Sequence, residues 1–204
     1  MKRILILALA LSVAGFGLSP AFAADLKPDS EGYIRDWLML APIHLADENA
    51  GADQIDKEQV KGEAALKPSA GDKAKAGDRE LTWKAVQSKA ASFDFNEILG
   101  SMNEQVAGYM VVYLVCENEL TDLTLLMGSN DQGKLYLNGK MLVKATDPRG
   151  LEMDSDKVEK VTLNKGVNVI VFKVINETNN WQGSLRFKDK AGKPVTALKV
   201  ALAP

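Results

Sequence analysis

The chain has one cysteine, Cys116, and one histidine, His44, in 204 residues. A single thiol excludes an intramolecular disulfide, so the fold must be held by its core. Cys116 ends the apolar run Tyr109–Cys116, which marks it as a buried structural thiol. A reactive thiol needs a base nearby, and none is evident. One histidine leaves His-based acid–base chemistry a single possible centre. His44 follows Ile43 at the end of a strand-like run, where a satisfied structural role is the plainer reading. The chain lacks a Gly-x-Ser-x-Gly elbow, zinc-spaced Cys/His pairs and a phosphate-cradling glycine loop. It lacks basic excess too: 25 Lys and Arg face 27 Asp and Glu, for a net charge of −2. That balance argues against a nucleic-acid partner, whose phosphates call for basic patches.

Long apolar runs are missing beyond the N-terminus. There, Lys2-Arg3 precede an apolar stretch from Ile4 to Leu18, followed by the small-x-small triplet Ala21-Phe22-Ala23. This is the pattern of a signal peptide over residues 1–23, cleaved after Ala23, which predicts a secreted or periplasmic protein. The alternative is an uncleaved anchor, but the run is short, contains Gly15 and Gly17 and ends at Pro20. No cysteine follows it to accept a lipid, and no later stretch is long enough to span a membrane. Residues 1–23 carry Lys2 and Arg3 and no acid, so cleavage moves the net charge from −2 to −4.

What remains, residues 24–204, reads as one all-β domain. Tyr33–Ile43 is a strand with apolar side chains on both faces, closed by Pro42. Leu81–Val86, Val106–Cys116 and Leu123–Met127 follow, and the second of these is the strongest strand signal, being rich in β-branched and aromatic residues. Gly128–Lys140 predicts a polar turn at Ser129–Gly133 on the sheet edge, then a short strand. Asn138-Gly139 then supplies the two positive-φ residues of a type I′ hairpin turn. Met141–Val143 is the returning strand, Ser92–Phe95 and Lys157–Leu163 alternate apolar and polar residues, and Val167–Val174, Ser184–Phe187 and Val195–Leu202 follow. Between them, residues 47–79 are rich in Ala, Lys, Glu, Asp and Gly and form a long surface connection with one short amphipathic helix over about 53–66. Many short strands, frequent turns and little helix predict a β-sandwich of the jelly-roll type.

Several of these residues carry a resemblance. Ile34-Arg35-Asp36-Trp37-Leu38 with Pro42, Trp83-Lys84, Gly128-Ser129-Asn130-Asp131 with Asn138-Gly139-Lys140, Leu163-Asn164-Lys165-Gly166-Val167-Asn168 and Trp181 with Leu185-Arg186 stand in that order. The order resembles the galactose-binding-domain-like jelly rolls attached to secreted bacterial glycoside hydrolases. The resemblance runs from about Tyr33 to Leu202 and implies a non-catalytic module whose end loops touch a glycan. Such modules also bind proteins or act as spacers. Flocculin-type lectins, sandwiches of another topology, use a paired Asp-Asp to hold a calcium that holds the sugar. Here Asn130 replaces the first Asp, so Asn130 and Asp131 are only partial calcium candidates and no cofactor is expected. Asp131 alternatively bonds amides in its own turn.

A sugar site needs an exposed ring to pack on a pyranose and planar polar groups to bond its hydroxyls. Trp181 with Asn179, Asn180, Gln182 and Arg186 has those parts in one loop and strand start. The same tryptophan also suits a lid on the sandwich core, while Trp37 and Trp83 belong to the core. The leading reading is therefore a secreted carbohydrate-binding-type module. A second is an envelope protein-interaction or scaffolding module with no sugar ligand. A third, a cryptic glycosidase, requires two carboxylates across a cleft, with Glu117 and Glu119 or Glu152, Asp154 and Asp156 as candidates by residue type alone.

Overall fold

The computed structural model describes residues 26–46, 51–77 and 79–204. The expected signal segment lies outside the described residues. Among the described residues no helix is long and apolar enough to cross a membrane.

Two antiparallel sheets form an all-β sandwich. The larger is ordered β4 (Lys84–Gln87), β1 (Asp36–His44), β6 (Val106–Cys116), β11 (Gly166–Asn176), β8 (Gly133–Leu137) and β9 (Lys140–Ala145). A short β13 (Lys199–Ala201) extends the β1 side of β6, pairing its last turn-ward residues while β1 pairs the first ones. The smaller sheet is ordered β10 (Asp156–Leu163), β7 (Leu120–Asn130), β12 (Gln182–Lys188) and β5 (Ser92–Asp94). β2 (Lys73–Ala76) and β3 (Arg79–Thr82) make a separate hairpin. Two short helices, α1 (Gly51–Gln54) and α2 (Phe95–Leu99), and a 3₁₀ turn at Glu63–Ala65 complete the elements. The Asp94 side chain caps α2 at the Glu97 amide.

Between the sheets, Trp37, Met39, Met110, Val112, Leu114, Leu125, Met127, Phe172, Leu185 and Phe187 fill the sandwich core. Alternation sends the other residues of β1, β6 and β11 to the opposite side. Leu38, Leu40, Tyr109, Val111, Tyr113, Val169 and Val171 face outward, yet they are buried as well, with Ile55, Val60, Ala76 and Trp83 packed on them. The segment 51–83 therefore forms a third layer over the outer face of the large sheet. The helix expected over 53–66 is replaced by α1 and the 3₁₀ turn, because the segment follows the sheet instead of turning on its own axis. Val195–Leu202, expected as strand, keeps only β13.

The hairpin expected at Asn138-Gly139 is present, with φ of 51° and 83° at the two positions. The polar edge turn expected at Ser129–Gly133 is not. Ser129 and Asn130 end β7 in the small sheet, and Gly133 begins β8 in the large one, so the chain crosses between sheets there. The Asp131 amide donates to Ile175 O (2.8 Å) and the Ile175 amide to Gln132 O (3.0 Å), which draws this corner into the protein.

Candidate functional site

The third layer is held mostly by side chains rising from the sheet. Alternation along β8 and β11 points Lys134, Tyr136 and Lys173 outward, and Tyr109 joins them from β6. All four converge on Glu63, which is 1% exposed at the start of the 3₁₀ turn. Tyr109 Oη donates to Glu63 Oε2 at 2.6 Å and Tyr136 Oη to Oε1 at 2.7 Å. Lys134 Nζ reaches Oε1 at 3.2 Å, and Lys173 Nζ stands 3.4 Å from Oε2. Lys173 also donates to the carbonyls of Gln54 (3.0 Å), Ile55 (3.1 Å) and Lys57, closing three main-chain acceptors of the covering segment with one ammonium. Lys134 and Lys144 pair with Asp56. Nearby, Tyr113 Oη donates to Pro68 O at 2.7 Å. A buried charge of this kind is tolerable because every member has partners.

Burial sets the proton affinities here. It holds the Lys173 ammonium down to about 8 against the pull of Glu63. It lifts the Tyr109 phenol well above its usual value and pushes Tyr136 up to about 12, the Glu63 carboxylate adding to both. Burial alone would lower Lys134, but hydrogen bonds with Tyr136 and Glu63 outweigh it and raise that lysine. Because Lys173 is depressed in the folded state, the unfolded chain binds more protons between about pH 8 and 10.5, and stability rises with pH there. The tyrosines are raised, so their contribution is whole below pH 10 and lost as pH climbs toward about 12. The urea midpoint is thus expected to climb from pH 7.5, peak near pH 10 and then fall steeply. In Lys173→Met the climb should vanish and the fall remain. A midpoint flat from pH 8 to 11 in the wild type would contradict this assignment.

Immediately after Glu63 the cover forms one wall of a cleft of about 380 Å³. Ala64, Leu66 and Lys67 face the Asn138-Gly139 turn and the start of β11 at Val167 and Val169, with Tyr113 at the base. Asn138 is fixed for this purpose. Its amide donates to Asn168 Oδ1 (2.9 Å) and its carbonyl oxygen accepts from the Val169 amide (2.8 Å). Val167 remains 50% exposed, one of the few large apolar residues left in water. Volume, apolar walls and a few fixed polar groups are what a binding cleft requires.

The expected sugar residues fare differently. Trp181 is 0% exposed, which corrects its reading as a platform. It stands where β11 crosses to β12, stacked on Phe95 with ring centroids 4.1 Å apart, and its Nε1 donates to Val174 O at 3.2 Å. Gly108 makes room for it: a Cβ there would lie 2.7 Å from the indole edge. Gln182 donates to Asp94 (2.9 Å), and Arg186 is bound to Asp154 and lies over the Tyr33 ring. The Asn179 amide N–H donates to Glu104 (3.1 Å). Asn130 and Asp131 are buried at the sheet crossing. The Asp131 carboxylate accepts from the Glu177 amide (2.8 Å), and burial, with Glu177 close by, raises it above the usual carboxylate range. Of the seven, Asn180 lines an open hollow of about 410 Å³ shared with Asp94, Asn96 and Met102. The set does not meet on one concave face.

The acids considered for hydrolysis are also dispersed. Asp154 is bound to Arg186 and Tyr33, Asp156 to Arg149, and Glu152, Glu117 and Glu119 are exposed. Among the described residues no three His, Cys, Asp or Glu side chains cluster to hold a metal ion. His44 is exposed at the end of β1, and Cys116 is free and buried, its thiol pushed up by burial.

Two motifs of the sequence, Asn138-Gly139-Lys140 and Leu163–Asn168, supply Asn138, Gly139 and Val167 to one side of the cleft, but nothing in them pointed to the covering wall opposite. One signal was available: β6 and β11 are apolar on both faces, so something had to lie over the outer face.

No known protein-family profile matches the chain, and no curated protein does. Among solved structures, a GH31 alpha-xylosidase from Xanthomonas citri is similar at a TM-score of 0.30 and 11% identity. The match covers 62% of this chain and 16% of that one. A likeness at that score lends no weight to the fold or to a function.

Proposed function

We propose that the chain is an exported, non-catalytic binding module that takes a protein partner through the cleft between the covering segment and the Asn138-Gly139 turn. The observation that carries this reading is the half-exposed Val167 beside a half-open, largely apolar cleft, at the same time as the expected sugar platform is sealed in the core. Apolar walls fit an aliphatic side chain of a partner better than the hydroxyls of a sugar. Export rests on the sequence pattern at residues 1–23. The galactose-binding-like resemblance is compatible, since such modules also bind proteins.

The test is affinity isolation from the envelope of the native cell, followed by calorimetry with the purified partner. Val167→Asp is expected to weaken binding about tenfold or more while leaving the near-UV circular dichroism unchanged. Asn180→Ala is expected to bind like the wild type. A glycan reading has one observation in its favour, the hollow lined by Asn180 beside Asp94 and Asn96, the last two already bonded to Glu97, Gln182, Asn179 and Asn103. Retention on a polysaccharide gel that Asn180→Ala abolishes and Val167→Asp does not would move the site there.

A further inference from the structure

We infer that residues 51–68 open and close as a unit over an otherwise intact sandwich, and that the cleft exists only in the closed form. This rests on the cleft reading for its functional meaning, but the motion is argued from the attachment of the segment alone.

Strands in the sheets are held by ladders of main-chain hydrogen bonds; β6 and β11 pair at eleven successive positions, Val106 to Cys116 against Asn176 to Gly166. The covering segment has no such ladder with the sheet beneath it. Its regular structure amounts to α1 and one 3₁₀ turn, and its one bridge, Val60 to Ala76, is to the neighbouring hairpin. What fastens it to the sheet are side chains: Lys173 on three carbonyls, Tyr109 and Tyr136 on Glu63, the Tyr109 hydroxyl accepting from the Gln59 amide (3.2 Å), and Tyr113 on Pro68. Beneath these lie two buried aliphatic anchors, Ile55 and Val60, with Ala64 and Leu66 packed in part on the same cluster. An element with few apolar anchors and little ladder bonding is the kind that opens below the global unfolding free energy. Four side chains share the Glu63 carboxylate, and the rest of the fastening, Lys173 on the carbonyls, Asp56 on Lys134 and Lys144 and the Gly51 amide on Glu177, is also by side chains.

Opening removes the Ala64–Lys67 wall of the cleft and bares Tyr109, Val111, Tyr113 and Val171. A partner seated against Val167 therefore binds the closed form and, by linkage, holds it closed.

Hydrogen exchange read by mass spectrometry on the full chain tests this without a partner. In the wild type, peptides covering 53–67 are expected to exchange well before those of β6 and β11. Tyr136→Phe, which keeps the ring and removes one bond to a buried carboxylate, should speed exchange over 53–67 tenfold or more, while β6 and β11 speed by no larger factor and still exchange last. Glu63→Gln should do the same to a greater degree. Exchange of 53–67 in step with β6 and β11 in the wild type would overturn the inference. So would a Tyr136→Phe variant whose exchange over 53–67 matches the wild type. Cleft binding could still be real in either case, since the Val167→Asp test reads it separately.

Discussion

Glu63→Gln is expected to lower the free energy of unfolding by about 3–5 kcal/mol, the range for breaking a buried ion cluster from one side. The carboxylate is 1% exposed and is the shared acceptor of two tyrosines and two lysines. An amide in its place keeps one acceptor oxygen and turns the other site into a donor. That donor faces groups that themselves donate, and Lys134 and Lys173 are left as like charges in a dry setting. The asymmetry is as informative as the size. Lys173→Met also removes a partner, but it takes away a buried charge whose proton affinity is already depressed, and Glu63 keeps Lys134 and both phenols. Its cost should be clearly smaller, with the donor to three carbonyls as the main loss. Urea titrations of the two variants at pH 7.5 read the difference. Equal costs would mean that the charges matter less than the packing around them.

Trp181→Ala should cost about 3–5 kcal/mol, as for other large core truncations. The indole is fully buried, stacked on Phe95, and bonded through Nε1 to Val174 O. Removing it leaves a void at the crossing from β11 to β12 and orphans the Phe95 face. The size of the loss separates two roles. A ring held out for a ligand would cost little stability and much binding, whereas a lid costs stability first. A variant with an unchanged urea midpoint would return Trp181 to the surface and reopen the sugar site around it.

The sheets were legible because strand periodicity is a local signal. Tyr109–Cys116 and Val167–Val174 announce themselves by β-branching and alternation, and Asn138-Gly139 fixes its turn by backbone chemistry alone. Trp37 could be placed in the core because it sits within an apolar strand, and Trp83 is buried too, although the strand expected over Leu81–Val86 breaks at it into β3 and β4. The corner at Ser129–Gly133 was not legible. Polar turn residues look alike whether they cap an exposed hairpin or carry the chain between two sheets, and only the pairing of β7 and β8 in different sheets separates the cases. For Trp181 the sequence held both a core lid and a sugar platform, and only the lid stands, since its polar neighbours describe the loop and not the direction of the ring. The covering segment was hidden by composition. Its alanines and lysines read as solvent-facing, and its seating depends on Lys134 and Lys173, which the sequence also presents as surface charges. A lysine in the middle of a strand as apolar as β11 is the one clue that something acidic waited above it.

The most direct test of the account puts a photo-crosslinking side chain at position 167 in one protein and at position 180 in another, with both irradiated in the native envelope. Position 167 is predicted to give one discrete adduct that excess unlabelled wild-type protein competes away and excess Val167→Asp does not, while position 180 gives none. An adduct from position 180 alone would place the working surface at the other end of the sandwich and contradict the cleft.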